Sequence, residues 1–323
     1  MSFQMASHPP ISRLQDVAPY ASIIKRFEIN RSRAKVVLDL DATFARGSLS
    51  KVFVGTIYVN GQAPSKVVAK FLHAGPEYPQ SQLFLASEVS TVSHLIHPNV
   101  ARFHGLWWQT EFPASFIHPG IVVEFVDYDL LEYTKARPGE RIRVLRGGVL
   151  ALQYIHQQGI THGDVHPGNI RVDAKGNAKV IDFGLAQIQN MGGFPRIDGG
   201  RNPRYCAPEI FGSDEEEEPQ WGGGSEVDIW EAKPIASSSD VFAFGMVFLE
   251  VMAGVPPYTY EYPPNRPYHE LCFAVARGER PRLERYAGLS NRQKGALQRM
   301  WEQDPSARPT MSQVVDMDSP LWS

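Results

Sequence analysis

Cysteine is nearly missing from this chain of 323 residues. Only Cys206 and Cys272 are present, with no metal-like spacing and no disulfide framework. That fits a reducing compartment, so the cytoplasm is the default expectation, with the nucleus left open. A basic excess is also missing: the formal net charge is −3, which gives no electrostatic reason to expect nucleic acid as a partner. No apolar run approaches the roughly 20 residues of a membrane span, and Met1 to Pro10 has no apolar signal core. The rest, 43% hydrophobic and 21% charged, is ordinary globular composition, with chain enough for one large or two small domains.

Chemistry concentrates in one stretch, Thr161-His162-Gly163-Asp164-Val165-His166-Pro167-Gly168-Asn169-Ile170, followed by Val180-Ile181-Asp182-Phe183-Gly184. It sets out a carboxylate, then an amide, then a second carboxylate. Phosphoryl transfer from a nucleotide needs such a set. One carboxylate orients the attacking hydroxyl and accepts its proton, while the amide oxygen and the other carboxylate hold magnesium against the phosphates. Oxygen ligands suit a hard ion that keeps part of its water.

At these residues the chain resembles the protein kinase family, and the resemblance extends over residues 36–318. It implies an α+β, two-lobed fold: an N-lobe of about 36–124 with a small antiparallel sheet and one helix, and a mostly helical C-lobe of about 128–318. The preceding residues, 1–35, carry Pro9, Pro10 and Pro19 with scattered charge and read as a flexible or loosely docked extension.

Strand signals begin at Val36-Val37-Leu38 and continue through Val52–Val59 and Lys66–Phe71, with a turn at Asn60-Gly61. Ala45 to Val52 stands where the family has its glycine-rich phosphate loop. Only the central Gly47 is kept, with Ala45 and Ser50 at the other two glycine positions. Val67-Val68-Ala69-Lys70 resembles the family's third-strand lysine motif, and Ser81 to Leu95 has helical apolar spacing around Glu88. The resemblance implies that Lys70 binds the α- and β-phosphates and that Glu88 holds it in place. Two further strands are expected at about Ala101–Trp107 and Ile121–Phe125. The second leads into the hinge, where backbone groups of Glu124 to Val126 would read the adenine edge and Val123 would line the back of the pocket. Asp129 is placed either to reach the ribose or to cap the next helix. The implied ATP contacts are Gly47, Val52, Ala69, Lys70, Val123, Glu124, Val126, Asp129, Asn169 and Asp182. Mg2+ would fall to Asn169 and Asp182, and the catalytic set to Asp164, Lys70, Glu88, His166 and Asn169.

Arg141 to Gln157 is a helix by pattern, closed by Gly159. Asp182 to Glu209 resembles an activation segment. Its end, Ala207-Pro208-Glu209, is expected to pair Glu209 with Arg308 through a bidentate ion pair. Two absences coincide here. Gly163 stands where many kinases have the arginine that receives an activating phosphate, and no Ser or Thr lies between Asp182 and Glu209. The combination predicts a protein not switched by phosphorylation of this segment. His166 and Asn202 depart from the usual Lys and Thr. The loop His162–Asn169 instead looks like that of aminoglycoside-type small-molecule phosphotransferases. Residues 212–238 read as an acidic, glycine-rich insertion. Asp240 begins a very apolar run, and is expected to cap that helix and to brace the catalytic loop.

Three functions follow. The foremost is an ATP-dependent protein kinase acting on Ser/Thr of a protein substrate, favoured by Glu209, Asp240 and Arg308. The others are a small-molecule phosphotransferase, from the His162–Asn169 pattern, and a pseudokinase scaffold, from Ala45, Ser50 and His166.

Overall fold

The computed structural model describes residues 20–46, 50–73, 81–109, 119–188, 202–211, 235–263, 265–316 and 322. Gly47, most of the insertion at 212–238 and the middle of the activation segment lie outside the described residues.

The N-lobe holds helix α1 (Tyr20–Phe27), strands β1 (Ala34–Arg46), β2 (Ser50–Val59) and β3 (Ser65–Leu72), helix α2 (Ser81–Val92), and strands β4 (Phe103–Trp107) and β5 (Gly120–Glu124). The strands form one antiparallel sheet in the order β1-β2-β3-β5-β4. Strand alternation sorts its side chains into two layers. Phe53, Val67, Ala69, Phe71 and Val122 fill one face, with the Phe53 and Phe71 rings edge to face at 6.1 Å. Leu72, Leu106 and Ile121 point the other way, onto Leu85, Ala86 and Val89 of α2. Strand β1 begins before the expected Val36 and runs much further, with register shifts against β2 between Leu38 and Ala45.

Helix α1 falls in the stretch expected to be a flexible or loosely docked extension, yet it is packed. Ile23 and Phe27 join Leu85, Ala86 and Val89 of α2 in one cluster. The Phe27 ring meets Phe103 edge to face at 6.0 Å, and the Ile29 N–H donates to Leu106 O at 2.9 Å. An apolar side chain recurring every three or four residues gives α1 a face to bury, despite the charge between.

The C-lobe contains β6 (Tyr128–Asp129), α3 (Leu130–Ala136), α4 (Arg141–Gln157), β7 (Ile160–Thr161), β8 (Ile170–Val172), β9 (Ala178–Val180), β10 (Gln187–Ile188), α5 (Ser237–Ala253), α6 (Tyr268–Ala276), α7 (Asn291–Met300) and α8 (Met311–Asp316). Helix α4 has the bounds read from its pattern, and Gly159 follows it in the left-handed region at φ 72°. Helix α5 is buried on all sides from Ser239 to Val251, as an apolar helix at the centre of a lobe must be. The expected cap by Asp240 is corrected. Helix α5 starts earlier, at Ser237 after Ala236, so Asp240 lies inside the first turn and its carboxylate is used elsewhere.

Candidate active site

Two short antiparallel strands, β8 and β9, form a hairpin. Ile170, Val172, Ala178 and Val180 are buried in the C-lobe core, while Arg171, Lys179 and Ile181 alternate to the other face. The hairpin fixes both ends of the motif stretch. Asn169 lies at its start and its backbone carbonyl accepts from Ile181 N at 2.9 Å, which holds Asp182 close by.

Asn169 donates from Nδ2 to the Asp164 backbone oxygen at 2.9 Å and to Asp164 Oδ2 at 3.1 Å. Its amide oxygen is therefore the end left to meet a cation. His166 accepts the Gly168 N–H at Nδ1, 3.0 Å away, and its Nε2 lies 3.5 Å from Asp164 Oδ2. An accepting Nδ1 carries no proton, so in the neutral ring the proton sits on Nε2, the nitrogen nearer the Asp164 carboxylate.

The loop between these groups hangs from α5. Asp240 accepts from His162 N (2.8 Å) and Gly163 N (2.9 Å), and its Oδ2 is 2.8 Å from His156 Nε2. Burial would raise the Asp240 carboxyl, but the His156 hydrogen bond and the neighbouring imidazoles and amides hold it below its ordinary value. Gly163 sits at φ 75°, a conformation that costs a side chain about 1 kcal/mol or more.

Across the cleft, Lys70 on β3 reaches both Glu88 oxygens at 3.1 Å and Asp182 Oδ1 at 2.7 Å. Burial alone would lower the Lys70 ammonium, but Asp182 and then Glu88 outweigh it and hold it above its usual value. Burial pushes the Glu88 carboxyl up against the pull of Lys70. Asp182, the more open partner at 44% side-chain exposure, is held below its usual range by Lys70 despite burial of its surroundings. Asp182 uses Oδ1 for Lys70 and for the Gly184 N–H, leaving Oδ2 for a cation. A Cβ on Gly184 would stand 2.9 Å from Lys70 Nζ, so glycine is what allows this close packing. The Asn169 amide oxygen and Asp182 Oδ2 are hard oxygen donors of the kind Mg2+ accepts.

The other expected site residues fall as follows. Val52 pairs with Lys70, and Ala69 with Phe53 and Val122, which places both on the sheet beside Lys70. Val123 is half-buried at the end of β5 and Val126 is buried in the hinge. The Glu124 side chain is taken by Lys179 (3.0 Å) and Arg102 N (3.1 Å). Of the two readings of Asp129, the structure shows the cap: Oδ1 accepts from Leu131 N at 2.8 Å and Glu132 N at 3.1 Å.

Beside Asp164 lies a hollow lined by Gly163, His166, Asn202, Tyr205, Cys206 and Asp240. Its outer wall, residues 202–211, is anchored twice. Tyr205 OH bonds to the buried Glu250 of α5. Glu209 takes two bonds from Arg308, at 2.7 and 2.8 Å. Sequence reading missed Arg171, whose Nε donates to Val126 O at 3.0 Å and whose Nη2 reaches Asp127 O at 3.3 Å. An arginine between two buried aliphatics of a short strand was the available signal.

A five-stranded N-lobe sheet with one lysine–glutamate pair, joined to a helical lobe that presents Asp164, Asn169 and Asp182, defines a two-lobed, kinase-type domain. The family model of the protein kinase domain matches residues 41–318, and the chain belongs to that family. It is 26% identical over 286 residues to serine/threonine-protein kinase STY17 of Arabidopsis thaliana, covering 87% of this chain and 44% of that protein. It is 28% identical over 280 residues to serine/threonine-protein kinase STY46 of the same plant, covering 84% and 42%. Against serine/threonine-protein kinase PknB of Mycobacterium tuberculosis the figures are 30% over 217 residues, 66% of this chain and 31% of that protein. The chain thus spans half or less of the length of these relatives. Among the described residues no helix is long and apolar enough to cross a membrane.

Proposed function

We propose that the chain is an ATP-dependent protein kinase that phosphorylates Ser or Thr hydroxyls of a protein substrate. The observation that carries this reading is the convergence of Asp164, Asn169 and Asp182 opposite the Lys70–Glu88 pair. Lys70 carries a positive charge held by two carboxylates, suited to the α- and β-phosphates of ATP. Asp164 orients the substrate hydroxyl and takes its proton as the new oxygen–phosphorus bond forms and the bond from the γ-phosphorus to the bridging oxygen of ADP breaks. Asn169 fixes the Asp164 carboxylate, and His166 Nε2 stands 3.5 Å from it. The Asn169 amide oxygen and Asp182 would hold Mg2+, which would supply charge neutralisation at the phosphates.

The protein rather than small-molecule acceptor is supported by the wall at residues 202–211. Two buried or half-buried anchors, to Glu250 and Arg308, hold it beside Asp164 as a platform for an extended peptide. Phosphorylation of the activation segment is not required in this reading. Residues 183–208 contain no Ser or Thr, and Gly163 provides no guanidinium to receive a phosphate.

The test is phosphate transfer from MgATP to Ser, Thr and Tyr peptide libraries and to the chain itself, with Asp164→Ala as control. Transfer to Ser/Thr that vanishes in the control is the expected result. ATP binding without transfer to any peptide would sink the reading.

A further inference from the structure

Arg171 reaches from the C-lobe hairpin to the hinge, and the position of its two bonds bears on base recognition. The Phe125 N–H donates to Lys66 O of β3 at 3.2 Å. In extended chain, alternate residues turn their N–H and C=O to opposite edges. Glu124 and Val126 therefore present their backbone groups away from β3. Consistent with this, Glu124 N meets Arg102 O at 2.8 Å, and Val126 O meets Arg171 Nε at 3.0 Å. The free hinge edge would offer an acceptor at Glu124, a donor at Val126 N–H and a second acceptor at Val126 O. Arg171 occupies one lone pair of the last of these, and its Nη2 lies on the next carbonyl, Asp127 O, at 3.3 Å.

We infer that Arg171 is a base-specificity residue, selecting adenine and excluding purines with a donor directed at Val126 O. This rests on the proposed nucleotide site. Adenine needs two hinge groups: its amine donates to Glu124 O and its ring nitrogen accepts from Val126 N–H. Neither is used by Arg171. Guanine has the opposite edge. Its oxygen would accept from Val126 N–H, and its ring N–H would then need Val126 O. A 2-amino group on adenine would likewise point at Val126 O. Both donors meet an acceptor with one lone pair engaged, and beside it a positively charged guanidinium that can only donate and so opposes a second donor. The planar fork makes arginine fit for this, since it spans two neighbouring carbonyls where lysine has a single point of charge. Among residues facing away from the core, Arg171 is opposite Lys179, which is already paired to Glu124. The Arg171 guanidinium is directed at the hinge backbone.

The experiment compares binding of ATP, 2-amino-ATP and GTP, each with Mg2+, to the full chain and to Arg171→Leu, by calorimetry. The 2-amino analogue keeps both adenine bonds and adds only the donor aimed at Val126 O. The wild-type chain is expected to bind ATP about five- to tenfold more tightly than 2-amino-ATP, the value of one hydrogen bond. In Arg171→Leu that preference should vanish or reverse, and GTP should gain relative to ATP. Equal binding of ATP and 2-amino-ATP by the wild-type chain would overturn the inference while leaving the nucleotide site intact. So would an unchanged ratio in the variant. Failure of the wild-type chain to bind any of the three would instead overturn the nucleotide-site reading, and this inference with it. If Arg171→Leu does not fold, the wild-type ratio alone decides.

Discussion

Asn169 donates from a single nitrogen to both the backbone oxygen and the carboxylate of Asp164, at 2.9 and 3.1 Å. The amide nitrogen therefore sets the direction of the Asp164 carboxylate, and in the proposed reaction its oxygen would be the end that serves as a metal donor.

Replacing Asn169 with Ala should remove both. Transfer should fall by about 100-fold or more, the usual contribution of a positioned proton acceptor, and the Mg2+ concentration for half-maximal activity should rise. Asn169→Asp restores an oxygen donor but sets a second carboxylate against Asp164. It should recover part of the Mg2+ response without recovering turnover. A magnesium titration of kcat separates the two effects. An Asn169→Ala protein with wild-type turnover at saturating Mg2+ would show that Asn169 does not orient Asp164.

The Arg308 side chain has no exposure, whereas Glu209 retains 29%. The pair is buried on one side only, so the cost of breaking it is asymmetric. Glu209→Ala leaves a buried guanidinium with Glu302 O and Ser238 O as its remaining main acceptors, and should cost about 2–3 kcal/mol. Arg308→Ala also opens a cavity under Phe242 and should cost more. Urea unfolding of both single variants and the double variant checks this. The double variant should be less destabilised than the sum of the singles, since the partners form one unit.

The brace of α1 on α2 should be visible in activity. Ile23 and Phe27 pack on the same residues of α2 that position Glu88. Ile23→Ala should cost about 2–3 kcal/mol, and deletion of residues 1–29 should loosen α2 against the sheet. The expected signature is a several-fold rise in KM for ATP, because the Lys70–Glu88 pair is then not held ready. An undiminished affinity for ATP after the deletion would refute the brace.

Stability should have an acid limb traceable to Asp240. Its folded carboxyl lies below the unfolded value of about 3.9. The stabilisation is therefore complete above about pH 4 and is lost as pH falls through the folded value. Asp240→Asn replaces one acceptor oxygen with a donor facing the loop amides. It should lower stability at neutral pH, and the gap from wild type should narrow as the pH is taken from 6 to 3. A gap that stays constant across that range would rule out the ionised carboxylate as the source.

Much of the site could be read from the chain because its spacing is set by local structure. The Asp164–Asn169 separation is one tight turn, and Asp182 follows a short hairpin, so a linear motif maps onto a single cleft. Helix α4 was legible to the residue because its apolar period and Gly159 agree. The pairing of Glu209 with Arg308, far apart in the chain, was legible only through family resemblance. Other features depend on tertiary context. Asp240 was expected both to cap a helix and to brace the His162–Asn169 loop; the brace is made, but Ser237 to Ser239 extend the helix backward, so there is no cap. Asp129 had two readings of equal standing, and the cap it forms follows from where α3 starts. Helix α1 was passed over because the prolines and scattered charge of residues 1–35 read as an extension, although Ile23 and Phe27 recur at helical spacing with Lys25 and Arg26 exposed between them. Arg171 was passed over as a strand residue, because nothing local says which carbonyls a long side chain will meet.

The support that Asp240 gives to the His162 and Gly163 amides ties the fate of the catalytic loop to α5, the most enclosed helix of the C-lobe. Loops ordinarily open far more often than the core around them. Here the two amides should exchange their hydrogens with solvent only as rarely as the α5 amides do. The loop that would receive the substrate in the proposed reaction should thus open only with the last unit of the molecule to come apart.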